Sequence, residues 1–345
     1  WNAQKRVKKA LADLVMSLKQ ICETKAADDD NIKLSFSYIA LLNFLSNIPK
    51  PPDTKFIQFA ILESGGFIDS ENPRLIMCSE FHHVYTVILY LFCTGLLISS
   101  FEYLYISKEF KPQGIFSWKI FSSRGNYQKS TGLLKKTNLI FGYSATVSLH
   151  AARIISLIML LVITDHYVKT LLLAFLFLTT LLLSYRTLIG LDGADQMDSI
   201  LCITLLIVFL ADNSFIYKTG LVFIAAQSVL SYLVAGTAKL FSKKWRNGVA
   251  VFQIMNTKTY GFESIAKLLS TVPRFINLLF CWHIILFEVL FLLVFFLPSP
   301  WFLIFLLWGI CFHIYNAVAM GLNNFFWAFI ATYPSIIYIH QLLVT

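Results

Sequence analysis

The chain has 345 residues, of which 57% are hydrophobic, 16% are aromatic and only 14% are charged. Soluble domains average about 25% charged residues, so this composition excludes an ordinary soluble protein and indicates a multi-pass protein integral to the lipid bilayer. The net charge of +9 does not indicate a nucleic-acid partner, because the Lys and Arg residues stand between apolar runs, as is typical of juxtamembrane positions.

Residues 1–80 differ from the rest of the chain. Residues 1–25 combine an apolar helical face with Lys residues on the other side, which predicts a basic amphipathic helix. Such a helix lies on a membrane surface, packs on a partner, or is an ordinary terminal helix. We therefore predict two parts, an N-terminal amphipathic or extramembrane segment at 1–80 and a transmembrane helical domain at 81–345.

Eight apolar runs follow, most of them near the roughly 20 residues that a helix needs to cross a bilayer. They cover 84–101, 139–163, 168–185, 196–210, a run from 220 onward, 275–297, 301–321 and 325–342. The sequence thus predicts an all-α, polytopic transmembrane helical bundle of about eight spans. The fourth run is short, which would leave Asp195 and Asp198 near the lipid headgroups.

The second run carries His150 and Arg153 on one helical face. An arginine exposed to lipid in a span costs about 3 kcal/mol or more, so both side chains are expected to face the bundle interior and to be paired. Glu288 in the sixth run is one candidate partner for Arg153, in which case the two would form a structural ion pair.

Asp195 and His313 each allow two interpretations. Asp195 stands where the fourth run opens, so it is either a helix cap at the positive end of the dipole or part of a polar site. His313 in the seventh run either makes an inter-helix hydrogen bond or belongs to that site.

The fifth run places four residues at every fourth position of one helical face: Gln227, Ser231, Ala235 and Lys239. Lys239 then either snorkels to the interface, since Lys243 and Lys244 follow closely, or points into a cavity. An amine in apolar surroundings can act as a general base, because burial disfavours its charged form. Taken together, the ionisable residues of five runs indicate one buried polar site.

No motif of a soluble enzyme is present, and neither the six Cys residues nor the His and Asp residues show metal-ligand spacing. No metal is therefore predicted from the sequence.

Several short motifs follow one another along the chain: 192–196 (DGADQ), 232–240 (YLVAGTAKL), 245–248 (WRNG), 312–315 (FHIY) and 325–327 (FFW). This arrangement resembles the horizontally transferred transmembrane (HTTM) domain, the membrane part shared by vitamin K-dependent gamma-glutamyl carboxylases and their bacterial relatives. As a membrane-only chain it is also similar to membrane proteins required for maturation of sporulation-delaying-type toxins.

The resemblance implies a peptide-modifying membrane enzyme that uses a reduced quinone of the vitamin K type. The lysine of the carboxylase motif deprotonates that quinone, and Lys239 is the matching residue. On this basis Lys239, His313 and Asp195 are the predicted catalytic residues. His150, Arg153, Gln227 and Glu288 are predicted to position the substrate or the cofactor.

The alternative is a non-catalytic scaffold or subunit of a larger membrane complex, in which the buried polar groups only hold helices together. Transport is a weaker third option, because the runs show no clear internal repeat.

Overall fold

The computed structural model describes residues 73–122, 139–187 and 192–344, and no strand occurs among them. The amphipathic helix predicted at 1–25 lies outside these residues and stays a prediction, as does the proposed division at residue 80. Residues Asn72–Thr345 form one unit.

The described helices are these: α1 (Pro73–Tyr105), α2 (Trp118–Ser122), α3 (Tyr143–Val162), α4 (His166–Thr187), α5 (Gly193–Ala211), α6 (Ser214–Phe241), α7 (Lys243–Arg246), α8 (Ala250–Met255), α9 (Glu263–Thr271), α10 (Arg274–Leu290), α11 (Ser299–Met320), α12 (Asn323–Ile330) and α13 (Tyr333–Val344). Short 3₁₀ helices follow α1 at Ser107–Phe110 and extend α10 at Phe291–Phe295.

Eight helical segments of the described chain are long and apolar enough to cross a membrane: α1, α3, α4, α5, α6, α10 with its extension, α11, and α12 with α13. The hydrocarbon layer has no water to pair with backbone groups, so an apolar segment that crosses it must bond internally as a helix. The prediction of an all-α polytopic bundle with about eight spans is confirmed.

The fourth span is longer than the sequence suggested. We expected an apolar run of 15 residues, 196–210, but α5 has 19 residues because it begins at Gly193 and ends at Ala211. The side chain of Asp192 accepts hydrogen bonds from the backbone N–H groups of Ala194 and Asp195 and so starts the helix earlier. The prediction of a short span was therefore wrong.

Helix α6 lies at the centre of the bundle, where it packs against α1, α5, α10 and α13. The α6–α10 contact depends on Gly236, which is buried and has no side chain to separate the two backbones. A Cβ atom at Gly236 would lie 2.8 Å from both the Glu288 Cβ and the Val289 backbone nitrogen. This close approach brings the last turns of α6 against the C-terminal end of α10.

Gly236→Ala is expected to lower the free energy of unfolding by about 1–3 kcal/mol, because the added methyl must push α6 and α10 apart. Denaturant titration of the purified protein in detergent measures the change. Gly193→Ala is the matched control, since a Cβ there would meet Phe325 at an ordinary 3.5 Å and should change stability by less than about 0.5 kcal/mol. Equal effects of the two substitutions would contradict the close-packing explanation.

Candidate functional site

The predicted site residues fall into two separate regions, whereas the sequence analysis expected one buried site. Lys239, Glu288 and His313 line a cavity of about 380 Å³, here called the Lys239 cavity. His150, Arg153 and Asp195 line a cavity of about 50 Å³, and its lining residues are here called the Arg153 cluster. Helical periodicity identified inward faces but did not show that they surround different cavities.

The Lys239 cavity lies among α6, α10, α11 and α12, and residues of α7, α8 and the first turn of α5 complete its wall. Its walls are mostly apolar and aromatic. The polar or amphipathic side chains in its lining are Ser231, Tyr232, Lys239, Trp245, Glu288, His313, Tyr315 and Asn316. A concave, largely apolar cavity with a few polar groups is the usual form of a small-molecule site.

Lys239 forms an ion pair with Glu288 at the wall of this cavity. The Lys239 Nζ atom lies 2.7 Å from Oε1 and 2.6 Å from Oε2 of Glu288, and 5.3 Å from the centre of the Trp245 ring. The Glu288 side chain is 4% exposed and that of Lys239 is 21% exposed. The amine thus faces protein, as in the second interpretation of Lys239, and Glu288 pairs with Lys239 and not with its other candidate partner, Arg153.

His313 makes a hydrogen bond between helices and also lines the Lys239 cavity. Its Nε2 atom lies 2.6 Å from the hydroxyl of Tyr232, which lies 3.3 Å from the hydroxyl of Tyr333. A Cβ atom at Gly309 would overlap the Tyr333 hydroxyl, so only glycine leaves room for this contact. His313 therefore fits both interpretations, because it makes an inter-helix hydrogen bond and also lines the candidate site.

Arg153 is buried in the Arg153 cluster without a carboxylate partner. Its Nη2 atom donates to Thr180 Oγ1 at 3.2 Å, and the ion pairs of the described chain are formed by other residues. Asp198 instead accepts a hydrogen bond from Asn324 Nδ2 at 2.8 Å. The His150 ring stacks on Tyr103 with centroids 5.0 Å apart. Arg153 and His150 thus face the bundle interior, as the sequence predicted, and they are held there by a hydrogen bond and by aromatic stacking.

Three residues that line the cavity of the Arg153 cluster each carry a buried polar atom with no partner in the described part of the protein: His150 Nδ1, Arg153 Nε and Asn324 Oδ1. A cavity of about 50 Å³ has room for roughly three water molecules, which can both accept from Arg153 and donate to Asn324. This region is small and mostly filled by side chains, which suits helix packing better than the binding of a larger ligand.

Asp195 belongs to the cap of α5 as well as to the Arg153 cluster. Its Oδ2 atom accepts from the backbone N–H of Asp192 at 3.1 Å, which completes a reciprocal capping box. Burial, followed by the charge of Asp195, raises the pKa of the Asp192 carboxyl to about 6. Asp195 is not a lining residue of the Lys239 cavity, although Gly193 in the same turn of α5 is, and no hydrogen bond or ion pair of the described chain joins Asp195 to Lys239 or His313.

Gln227 is buried in α6 but is not among the residues that line either cavity. Its backbone carbonyl accepts a hydrogen bond from Ser231 Oγ at 2.8 Å, which is a contact within the helix. Gln227 and Lys239 share one face of α6, but the Lys239 cavity adjoins that face only between Ser231 and Lys239.

The sequence analysis missed Tyr232, Tyr333, Asn324 and Arg186. Arg186 at the end of α4 donates to the carbonyl of Phe141 at 3.2 Å through Nε and to that of Phe116 at 2.8 Å through Nη2. An arginine at the end of an apolar run was a usable signal, but nothing in the pattern indicated its partners. Tyr232 stood in the 232–240 motif without a role of its own, and Tyr333 lay inside the eighth apolar run.

Arg186→Met is expected to lower the free energy of unfolding by about 3 kcal/mol, because two hydrogen bonds from a charged donor are lost and the carbonyl of Phe116 loses its side-chain donor. Thermal unfolding in detergent measures the loss. Arg246→Met, at an exposed arginine of α7, is the control and should change little. An equal loss in both variants would contradict the assigned role of Arg186.

The fold and its buried polar sites define the chain as a polytopic α-helical membrane protein. In a comparison with known proteins, no family model, curated protein or solved structure matched the chain. Within the described residues no group of three or more His, Cys, Asp or Glu side chains is arranged to hold a metal ion.

Proposed function

We propose that this chain is an integral membrane enzyme that modifies a peptide, with Lys239 as the general base. The observation that carries the proposal is the Lys239–Glu288 pair at the wall of a largely apolar cavity of about 380 Å³. A purely structural pair needs no adjoining cavity, whereas a base must reach the group that it deprotonates.

Glu288 allows Lys239 to act as a base in apolar surroundings. If the proton on Nζ moves to the nearer carboxylate oxygen, 2.6 Å away, both side chains become neutral and the amine has a free lone pair. The amine can then take a proton from an acidic hydroxyl in the cavity and become ammonium again. The resulting anion would lie beside a positive charge and away from water, which stabilises it.

The residues of the Lys239 cavity suit a reduced quinone, the cofactor that the HTTM resemblance implies. Trp245, Phe312 and Phe325 offer flat apolar surfaces for a ring, while Lys239 and His313 offer polar contacts for its oxygens. When bound, such a cofactor would supply an acidic hydroxyl, and its oxidation by molecular oxygen would supply the energy for generating a strong base. In the proposed peptide reaction the γ C–H bond of a glutamate breaks, the proton goes to that base, and carbon dioxide adds at the carbon.

Mass spectrometry tests this proposal. Membranes that contain the chain are incubated with a glutamate-containing peptide library, a reduced naphthoquinone and isotope-labelled bicarbonate. Label in the peptides that depends on Lys239 supports the proposal. Identical peptides with and without the chain would overturn it.

A non-catalytic scaffold is the second candidate, and the Arg153 cluster favours it. Hydrogen bonds in that cluster join α3 to α4 and α5 to α12, and ring stacking joins α1 to α3. Its cavity leaves room only for water-sized molecules. For a scaffold the Lys239–Glu288 pair would be exchangeable for apolar side chains without loss of function.

A further inference from the structure

The side chains of Tyr333, Tyr232 and His313 form a buried hydrogen-bonded chain beside the Lys239 cavity. They are 5%, 3% and 2% exposed, so water does not compete for their polar atoms. The Tyr232 hydroxyl lies between the other two, 2.6 Å from His313 Nε2 and 3.3 Å from the Tyr333 hydroxyl. Each hydroxyl has one hydrogen, so the direction of donation along these three side chains can be decided by counting the polar groups that each direction leaves unpaired.

Two directions are possible for a neutral histidine. If Tyr333 donates to Tyr232 and Tyr232 donates to Nε2, both hydroxyl hydrogens are paired and only Nδ1–H of His313 is left over. If Nε2–H donates to Tyr232 and Tyr232 donates to Tyr333, the Tyr333 hydrogen and the Nδ1 lone pair are both left over. Each buried unpaired group costs about 1–3 kcal/mol, so the first direction is favoured.

The histidine is neutral because a buried imidazolium without a carboxylate partner would be costly, and the carboxylates of the described ion pairs contact lysines. Donation from Tyr232 to Nε2 then fixes the tautomer with hydrogen on Nδ1. Nδ1 is buried and has no partner in the described protein. Since the His313 ring lines the Lys239 cavity, Nδ1–H is the ring donor that remains for a ligand.

We propose that His313 is a specificity-determining residue that donates Nδ1–H to an oxygen acceptor of the ligand, with Tyr232 and Tyr333 as positioning residues that hold the tautomer. The ligand class is an apolar ring compound with an exposed carbonyl or equivalent acceptor. The inference rests on the proposed function only in taking the Lys239 cavity as the ligand site. It requires no catalysis.

Binding of two matched probes tests the donor. Acetylnaphthalene has a carbonyl acceptor and ethylnaphthalene is similar in shape without one. Isothermal titration calorimetry with the full chain in nanodiscs, after subtraction of empty nanodiscs, should show about tenfold tighter binding of acetylnaphthalene. Equal binding of the two probes, or binding of neither, would overturn the proposal.

Tyr232→Phe keeps the ring but removes the hydroxyl that fixes the tautomer, so the preference for acetylnaphthalene should fall to about threefold or less. Tyr85→Phe is the matched control. It also removes a buried hydroxyl, which donates to the carbonyl of Tyr217 at 2.7 Å, but it lies outside the cavity lining and should keep the tenfold preference. The same fall in both variants would contradict a specific role for Tyr232.

Nitrogen NMR of isotope-labelled histidine decides the tautomer in the unsubstituted protein, even if a variant fails to fold. The His313 signals are identified by their loss in His313→Gln. Hydrogen on Nδ1 and none on Nε2 is expected, and hydrogen on Nε2 would overturn the inference. The probe and NMR results concern binding and tautomer, so they are distinct from a failure of Lys239-dependent peptide modification.

Discussion

Lys239→Met is expected to reduce peptide modification by about 10²–10⁴-fold, which is the usual contribution of a general base. Methionine keeps a long flexible side chain in the Lys239 cavity but cannot take up a proton. Glu288 loses its partner in this variant and can accept a proton to become neutral, so the bundle should still accumulate in the membrane. Label incorporation into peptides, normalised to the amount of folded protein, measures the effect.

Lys267→Met is the matched control for that result. Lys267 forms the other described ion pair, with Glu263 at 2.7 Å on α9, but both side chains are more than 70% exposed. Surface pairs of this kind contribute little, so activity should stay at the unsubstituted level. Unchanged peptide modification in Lys239→Met would remove the catalytic role and favour the scaffold.

Glu288→Leu is expected to lower the free energy of unfolding by about 3–5 kcal/mol, because the ammonium of Lys239 would remain in apolar surroundings without a counter-charge. The double substitution Lys239→Met with Glu288→Leu removes both charges and should recover stability to within about 1 kcal/mol of the unsubstituted protein. The unsubstituted protein, the two single variants and the double variant form a double-mutant cycle, which isolates the interaction free energy of Lys239 and Glu288.

Denaturant titration in one detergent provides these free energies. Additive losses from the two single substitutions would show that the side chains do not interact and would contradict the ion pair. If the double variant recovers stability but not peptide modification, the pair is needed for the reaction itself and not only for the stability of the fold.

The transmembrane architecture was predictable because hydropathy and segment length alone decide whether a segment can cross a bilayer. The start of α5 was less predictable, since it depends on a reciprocal cap between Asp192 and Asp195 that was weighed only as one interpretation of Asp195. A cap extends a helix beyond its apolar run, which hydropathy does not measure.

The partners inside the bundle were not predictable from one sequence. Helical periodicity put Arg153 and Glu288 on inward faces but could not say which helices adjoin. Because α10 approaches α6 closely at Gly236, Glu288 lies beside Lys239 and forms its ion pair with Lys239 instead of Arg153. Gly236 lies three residues before Lys239, and a small residue in an apolar helix was the available signal for that contact.

The reactivity of the Lys239 amine shows whether this side chain lies inside the protein or among the lipid headgroups. A water-soluble amine-reactive ester is applied to the full chain in nanodiscs, and mass spectrometry compares Lys239 with the exposed Lys243 and Lys244 of α7. We expect rapid labelling of the two α7 lysines and little labelling of Lys239, because the Lys239 amine is paired with Glu288 inside the protein. Labelling of Lys239 as fast as Lys243 would place the amine among the lipid headgroups and contradict the proposed site.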